Sequence, residues 1–219
     1  MTNLKLTEIT IVLDRSGSMG SVKEATIEAF NGFLHSQKTG DGDVQFSLVQ
    51  FDDQYEPLLT AVPMAQVADL TPTTYEPRGS TALLDAIGRT IVETGQRLSQ
   101  MPEPQRPGTV LFVIQTDGFE NASHTFRLEQ INSMIAEQRQ KYLWEFIFLG
   151  ANQDAIASAA HFGIAAGQAL TYSPNARGTR GVFKVLDQKI QSHRTSRASG
   201  DESAKVEFTD ADRHEANPT

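Results

Sequence analysis

Apolar residues in this chain fall into two alternating patterns. Stretches rich in apolar and β-branched residues at 6–13, 44–51, 109–115 and 144–149 read as strands, and the unbroken runs Ile9–Leu13 and Val110–Ile114 suit burial on both faces. Between them, apolar positions recur three or four residues apart, the spacing of one helix face. Val22, Ala25, Ala29, Phe30 and Phe33 predict a helix over about 22–37, opened by a capping box in which Ser21 caps and Glu24 reaches back. Leu84, Ile87, Ile91 and Leu98 predict a second over 82–100, and Leu128, Ile131 and Ile135 a third over about 125–141. A short helix capped by Asn152 runs to about Phe162, a short strand covers 169–172, and Val182, Val185, Leu186 and Ile190 mark a last helix over about 175–192. The run 55–62 follows the second strand after too few residues for a parallel crossover, so it reads as an antiparallel edge strand, a position that suits Pro57.

Strands alternating with helices predict an α/β fold: an open, doubly wound, mostly parallel sheet with helices on both faces. No linker divides the chain, so residues 1–192 read as a single domain. Residues 193–219 are polar, with Val206 and Phe208 as the only large apolar side chains, and read as a solvated tail. The acids of that tail make it a candidate source of carboxylates for a metal site.

Composition narrows the function classes. With 219 residues, 39% hydrophobic and 21% charged, the chain is long enough for a sizeable core and ordinary for a globular protein. The net charge of −8 argues against nucleic acid as a partner. There is no cysteine, which excludes disulfides, thiolate metal sites and cysteine nucleophiles and fits a cytoplasmic location. The start of the chain lacks a signal peptide's apolar stretch, and no apolar run approaches the ~20 residues that cross a bilayer, so no membrane partner is expected.

Two of the strands stop abruptly at an acid. Asp14-Arg15-Ser16-Gly17-Ser18 follows the first, and Thr116-Asp117-Gly118 follows the strongest. In a doubly wound sheet, ligands sit beyond the carboxyl ends of the strands. Arg78-Gly79-Ser80-Thr81, opening a helix at the same rim, brings a third polar segment to that place. The oxygens of Asp14, Ser16, Ser18, Thr81 and Asp117 would converge there, a donor set suited to a small hard cation. Alone, the first of these loops also describes a polar strand-to-helix turn with Asp14 as a local cap. Arg15, Met19, Tyr75, Arg78, Phe119, Glu120 and Asn121 flank the set as a candidate partner-binding rim. Asp52 and Asp53 read as a solvated strand end, Asp85 as structural, and the five histidines show no ligand spacing.

These three segments together, Asp14-x-Ser16-x-Ser18, Gly79-Ser80-Thr81-Ala82-Leu83 and Thr116-Asp117-Gly118, resemble the von Willebrand factor A domain, as in integrin inserted domains. The resemblance covers about residues 5–192. All five positions of that family's metal-ion-dependent adhesion site are present, with Ser80 standing where the family usually has a second glycine. The resemblance implies sheet order 3-2-1-4-5-6 with the 55–62 strand antiparallel at the edge. It implies that Ser16, Ser18 and Thr81 ligate Mg2+ or Mn2+ through hydroxyls, with Asp14 and Asp117 acting directly or through water. A cation so held keeps charge uncompensated and seeks an Asp or Glu carboxylate from a partner protein. The expected function is therefore metal-dependent protein binding without catalysis. Two alternatives stand beside it. One is a subunit or adaptor of an AAA-type ATPase complex. The other is a Mg-dependent phosphatase of haloacid-dehalogenase type, although Ser16 stands where such an enzyme carries its general acid. Neither a P-loop nor a GxSxG nucleophile elbow occurs.

Overall fold

A computed structural model describes residues 2–151, 154–201 and 203–217. In it the long first strand, β1 (Asn3–Asp14), is central. The others are β2 (Asp43–Phe51), β3 (Tyr55–Pro63), β4 (Pro107–Thr116), β5 (Glu145–Ala151) and β6 (Ala169–Tyr172). They form one sheet in the order β3-β2-β1-β4-β5-β6, parallel except for the β2–β3 pair, as expected. The order reverses at β1, between β2 and β4. That is where the carboxyl-end loops diverge and leave a crevice.

Helices α1 (Lys23–Lys38) and α5 (Ala176–Ala198) cover one face of the sheet, while α2 (Leu83–Gln100) and α3 (Leu128–Tyr142) cover the other; α4 (Ala155–His161) and α6 (Asp210–Ala216) are short. Alternation along β1 divides the core: Ile9, Ile11 and Leu13 face α1 and α5, and Val12 faces α2 and α3. Phe30, Phe46 and Phe183 meet edge to face at 6.1 and 6.0 Å in the first layer, and Phe112 packs on Phe146 at 5.1 Å in the second. Among the described residues, no helix is long and apolar enough to cross a membrane.

Several boundaries differ from the sequence reading. The Ser21–Glu24 capping box does not form. Residues Gly17–Val22 curl into a 3-10 turn, which makes Val22 the residue before α1 and leaves the Ser21 hydroxyl on the Ser18 carbonyl at 3.4 Å. α3 begins at Leu128 because the preceding N–H groups of His124, Thr125 and Phe126 are bound by the Asp85 carboxylate. Asn152 lies outside the described residues; α4 is capped by Asp154, which accepts from Ile156 and Ala157 at 3.1 Å each.

The expected solvated tail is the largest difference. α5 continues past residue 192 to Ala198, and Val206, Phe208 and Ala216 are buried against the α5 layer. Phe208 N–H donates to the Gly167 carbonyl at 2.7 Å, and Val206 N–H to Glu145 Oε2 at 2.8 Å. His193, expected at a polar boundary, is buried with Nε2 2.7 Å from Glu145 Oε1. Val206, Phe208 and Ala216, with a few hydrogen bonds and ion pairs, dock this segment, too sparse a signal to stand out in a polar sequence.

Candidate metal centre

The three loops meet beyond β1 and β4. Asp14 ends β1 and is fully buried. Its Oδ1 accepts the Ser16 N–H at 2.7 Å, and its Oδ2 accepts the Thr116 hydroxyl at 2.6 Å. The Ser16 and Ser18 hydroxyls are 3.1 Å apart, and the Ser18 hydroxyl donates to Asp117 Oδ1 at 2.6 Å. Thr81, just ahead of α2, lies beside Gly118: a Cβ added there would stand 3.1 Å from Thr81 Oγ1 and 3.7 Å from Ser18 Oγ. Gly118 thus lets the Asp117 loop pass close to both hydroxyls. All five candidate ligands are gathered in one continuous cluster, joined further by the Gly17 N–H to the Gly79 carbonyl at 3.2 Å.

Glycine is needed at position 79, where φ is +65° and a Cβ would stand 2.2 Å from Asp53 Oδ1. Ser80 has no such requirement; its φ is not positive and its side chain is exposed. The Ser80 departure from the familiar two-glycine pattern therefore leaves the loop geometry intact.

Burial raises the Asp14 carboxyl to about 6 from an ordinary 3.8, against the hydrogen bonds from Thr116 and Ser16, and the neighbouring Asp117 charge adds to the rise. Burial also raises Asp117, opposed by the Ser18 hydroxyl. Two acids held close in a dry site resist ionising together, which is the situation a cation relieves. Hard oxygens from three hydroxyls and two carboxylates match Mg2+ or Mn2+. Among the described residues, no group of three or more His, Asp or Glu is arranged to hold a metal. The candidate set has only two acids and relies on hydroxyls for the rest.

Much of the expected rim is internal. Tyr75 is fully buried and donates its hydroxyl to the Asp14 carbonyl at 2.7 Å; it supports the strand end from below. Met19 is fully buried in the α1-side core, drawn in by the 3-10 turn. Arg15 is buried with its guanidinium against Asp52, Nε to Oδ2 at 3.3 Å, and against Glu56. Asp52, expected to be solvated, is fully buried and also accepts from Arg78 Nε at 2.8 Å; Asp53 is exposed as expected. Glu120 and Asn121 are bonded to the start of α2. Phe119, 67% exposed, stands out into solvent just after the Asp117 loop, and Arg78, half exposed, lies three residues before Thr81 against Asp52. Two of the tail acids are engaged away from the site: Asp212 pairs with Lys189 at 2.6 Å and Glu215 with Lys184 at 2.8 Å, both lysines on α5; Glu202 lies outside the described residues.

Sequence reasoning missed Thr116, whose hydroxyl holds Asp14. The available signal was a hydroxyl residue directly before Asp117 at the end of an otherwise apolar strand.

No protein-family model matches the sequence, and no curated protein matches it either. Solved structures do. Proximal thread matrix protein 1 from the mussel byssus, in a form with a zinc-occupied MIDAS motif, aligns with TM-score 0.56 at 14% identity over 84% of this chain and 46% of its own. A von Willebrand factor type A protein from Catenulispora acidiphila aligns with TM-score 0.54 at 15% identity over 84% and 42%. The vWF domain of the type V pili tip protein Mfa5 from Porphyromonas gingivalis aligns with TM-score 0.58 at 11% identity over 85% and 95%. The chain spans less than half the length of the mussel and Catenulispora chains. At these identities the likeness concerns the fold, and the fold is that of von Willebrand factor A domains.

Proposed function

We propose that this chain is a non-enzymatic, divalent-metal-dependent protein-binding module. Asp14, Ser16, Ser18, Thr81 and Asp117 would hold Mg2+ or Mn2+, and the cation would supply a Lewis-acidic position for an Asp or Glu carboxylate of a partner protein. The observation that carries this reading is the linked oxygen cluster of two buried acids and neighbouring hydroxyls, closed by the 2.6 Å Ser18–Asp117 bond. A structural relative with a zinc-occupied motif supports it. Ser16, in the position where a haloacid-dehalogenase-type phosphatase carries a general acid, can accept or donate a hydrogen bond but cannot serve that role, so the proposal contains no hydrolytic step. Phe119 and Arg78, exposed on two of the three loops that form the cluster, are the side chains offered to the partner.

Calorimetric titration with Mg2+ and Mn2+ tests the metal. Wild type binds and Asp14→Ala does not; binding unchanged in the variant refutes the site. Affinity capture in Mg2+ against chelator tests the partner. Thr81→Ala retains measurable metal affinity and loses the partner, and changing one acid of the partner to its amide also loses binding, at a cost of about 2–5 kcal/mol because the cation is left unpaired in a largely desolvated contact. A partner held equally well in chelator refutes the function.

A further inference from the structure

Two residues beside Asp117, Glu120 and Asn121, are turned inward, and their bonds have a common target. Asn121 grips Thr81 from both sides: its Oδ1 accepts the Thr81 N–H at 2.9 Å, and its own N–H donates to the Thr81 carbonyl at 3.0 Å. Glu120 stabilises this arrangement. Its Oε2 accepts the Leu84 N–H at 2.9 Å, within the first turn of α2, where that donor has no partner inside the helix. Its Oε1 accepts the N–H groups of Ala122 and Ser123 at 2.9 and 2.7 Å, folding its own loop around the carboxylate. The exchange is reciprocal, since Asp85 on α2 binds the N–H groups of residues 124–126. Backbone amides on those three bonds hold the Asp85 carboxyl below the ordinary carboxylate range despite partial burial.

We propose that Asn121, secured by Glu120, is a positioning residue of the metal site. It fixes the Thr81 hydroxyl relative to the Asp117 carboxylate, so that the two ligands from separate loops behave as one rigid unit. This rests on the metal-site reading above. Helix capping alone would require only the Glu120–Leu84 bond. It does not require a two-point grip on Thr81, the residue of this segment whose hydroxyl belongs to the site. The geometry also explains why Asn121 lies four residues after Asp117: the intervening turn returns the chain to Thr81 while leaving Phe119 outside.

Mn2+ binding, followed by the paramagnetic resonance signal of free Mn2+ well below the unfolding temperature of every variant, is the test. Partners that orient metal ligands are worth about 10–100-fold in affinity, and one amide-to-backbone contact falls at about tenfold. Asn121→Ala is expected to weaken Mn2+ binding about tenfold. Asn121→Asp, which keeps the acceptor for the Thr81 N–H, is expected to bind as wild type or tighter. Combined with Thr81→Ala, Asn121→Ala is expected to add little further loss, because it acts through that hydroxyl. Asn121→Ser, whose side chain is too short for the Thr81 N–H, serves the same comparison where the alanine variant does not fold. Wild-type affinity in Asn121→Ala or Asn121→Ser, or losses that multiply with Thr81→Ala, overturn the positioning role. Absence of Mn2+ binding in wild type, or binding that survives Asp14→Ala, instead overturns the underlying metal site.

Discussion

Replacing Asp14 by asparagine is expected to stabilise the metal-free chain at neutral pH while removing its metal binding. The Asp14 carboxyl is fully buried and titrates at about 6 in the folded chain, against 3.8 ordinarily. Because the folded-state value is the higher one, the folded chain holds the proton more tightly between about pH 4 and pH 6. Stability therefore falls as pH rises through that window and stays low above it. A difference of roughly two units corresponds to about 3 kcal/mol at 1.36 kcal/mol per unit. Asparagine never ionises, so it avoids this cost. Its hydrogen bonds survive the change. The amide oxygen still accepts from the Ser16 N–H, and the Thr116 hydroxyl can accept from the new amide N–H while donating to the Gly118 carbonyl 3.2 Å away.

Urea unfolding in chelator gives the comparison. Asp14→Asn is expected to match wild type near pH 4, gain stability through pH 5 and 6, and exceed it by about 3 kcal/mol at pH 7.5. Saturating Mg2+ reverses the order, since a ligand that binds only the folded chain stabilises wild type alone. An Asp14→Asn variant that is less stable than wild type at pH 7.5 in chelator refutes the reasoning, because the buried charge would then be stabilised by the fold without a cation.

Two further outcomes follow from the charges and the C-terminal segment. Asp52→Ala leaves Arg15 buried with only the half-exposed Glu56, and is expected to cost about 3 kcal/mol in chemical denaturation, the low end for a broken buried pair. Ending the chain at Gly200 removes buried Val206 and Phe208 together with the Lys189–Asp212 and Lys184–Glu215 pairs. After the ordering entropy of the segment it is expected to lower stability by about 3 kcal/mol while leaving Mn2+ affinity unchanged; altered affinity would show that the tail acids reach the metal after all.

The fold was legible because parallel strands buried on both faces need long apolar runs, which β1, β4 and β5 have, while β2 keeps an apolar residue at most positions between two turns. The ligand set was legible for the same reason in reverse. Where such a run ends at an acid, as at Asp14 and Asp117, nothing in packing asks for a carboxylate, so the residue points to a site. Tyr75 was not legible: the stretch 63–77 is irregular and has no period from which to read a buried face, yet its ring fills the core and its hydroxyl holds Asp14. Asp52 sits at a strand end just as Asp14 does. It is buried because Arg15 and Arg78, from two other segments, arrive at the same place.

The difference between Asp14 and Asp52 shows what the site requires. Both are fully buried acids at adjacent strand ends, and β1 and β2 pair in register. Asp52 is answered by two guanidinium groups of the chain itself, those of Arg15 and Arg78. Asp14 is answered, among the described residues, by the hydroxyls of Thr116 and Ser16 and the Ser16 N–H, with a second acid beside it. A buried carboxylate without a positive partner within the chain is costly, and that cost is removed when a cation comes from outside. Two arginines near the site, Arg15 and Arg78, are drawn to Asp52, and Arg15, one residue from Asp14, turns away from the cluster towards Asp52 and Glu56. The loop thus withholds a protein cation from Asp14, and this arrangement keeps the position beside it open to a metal.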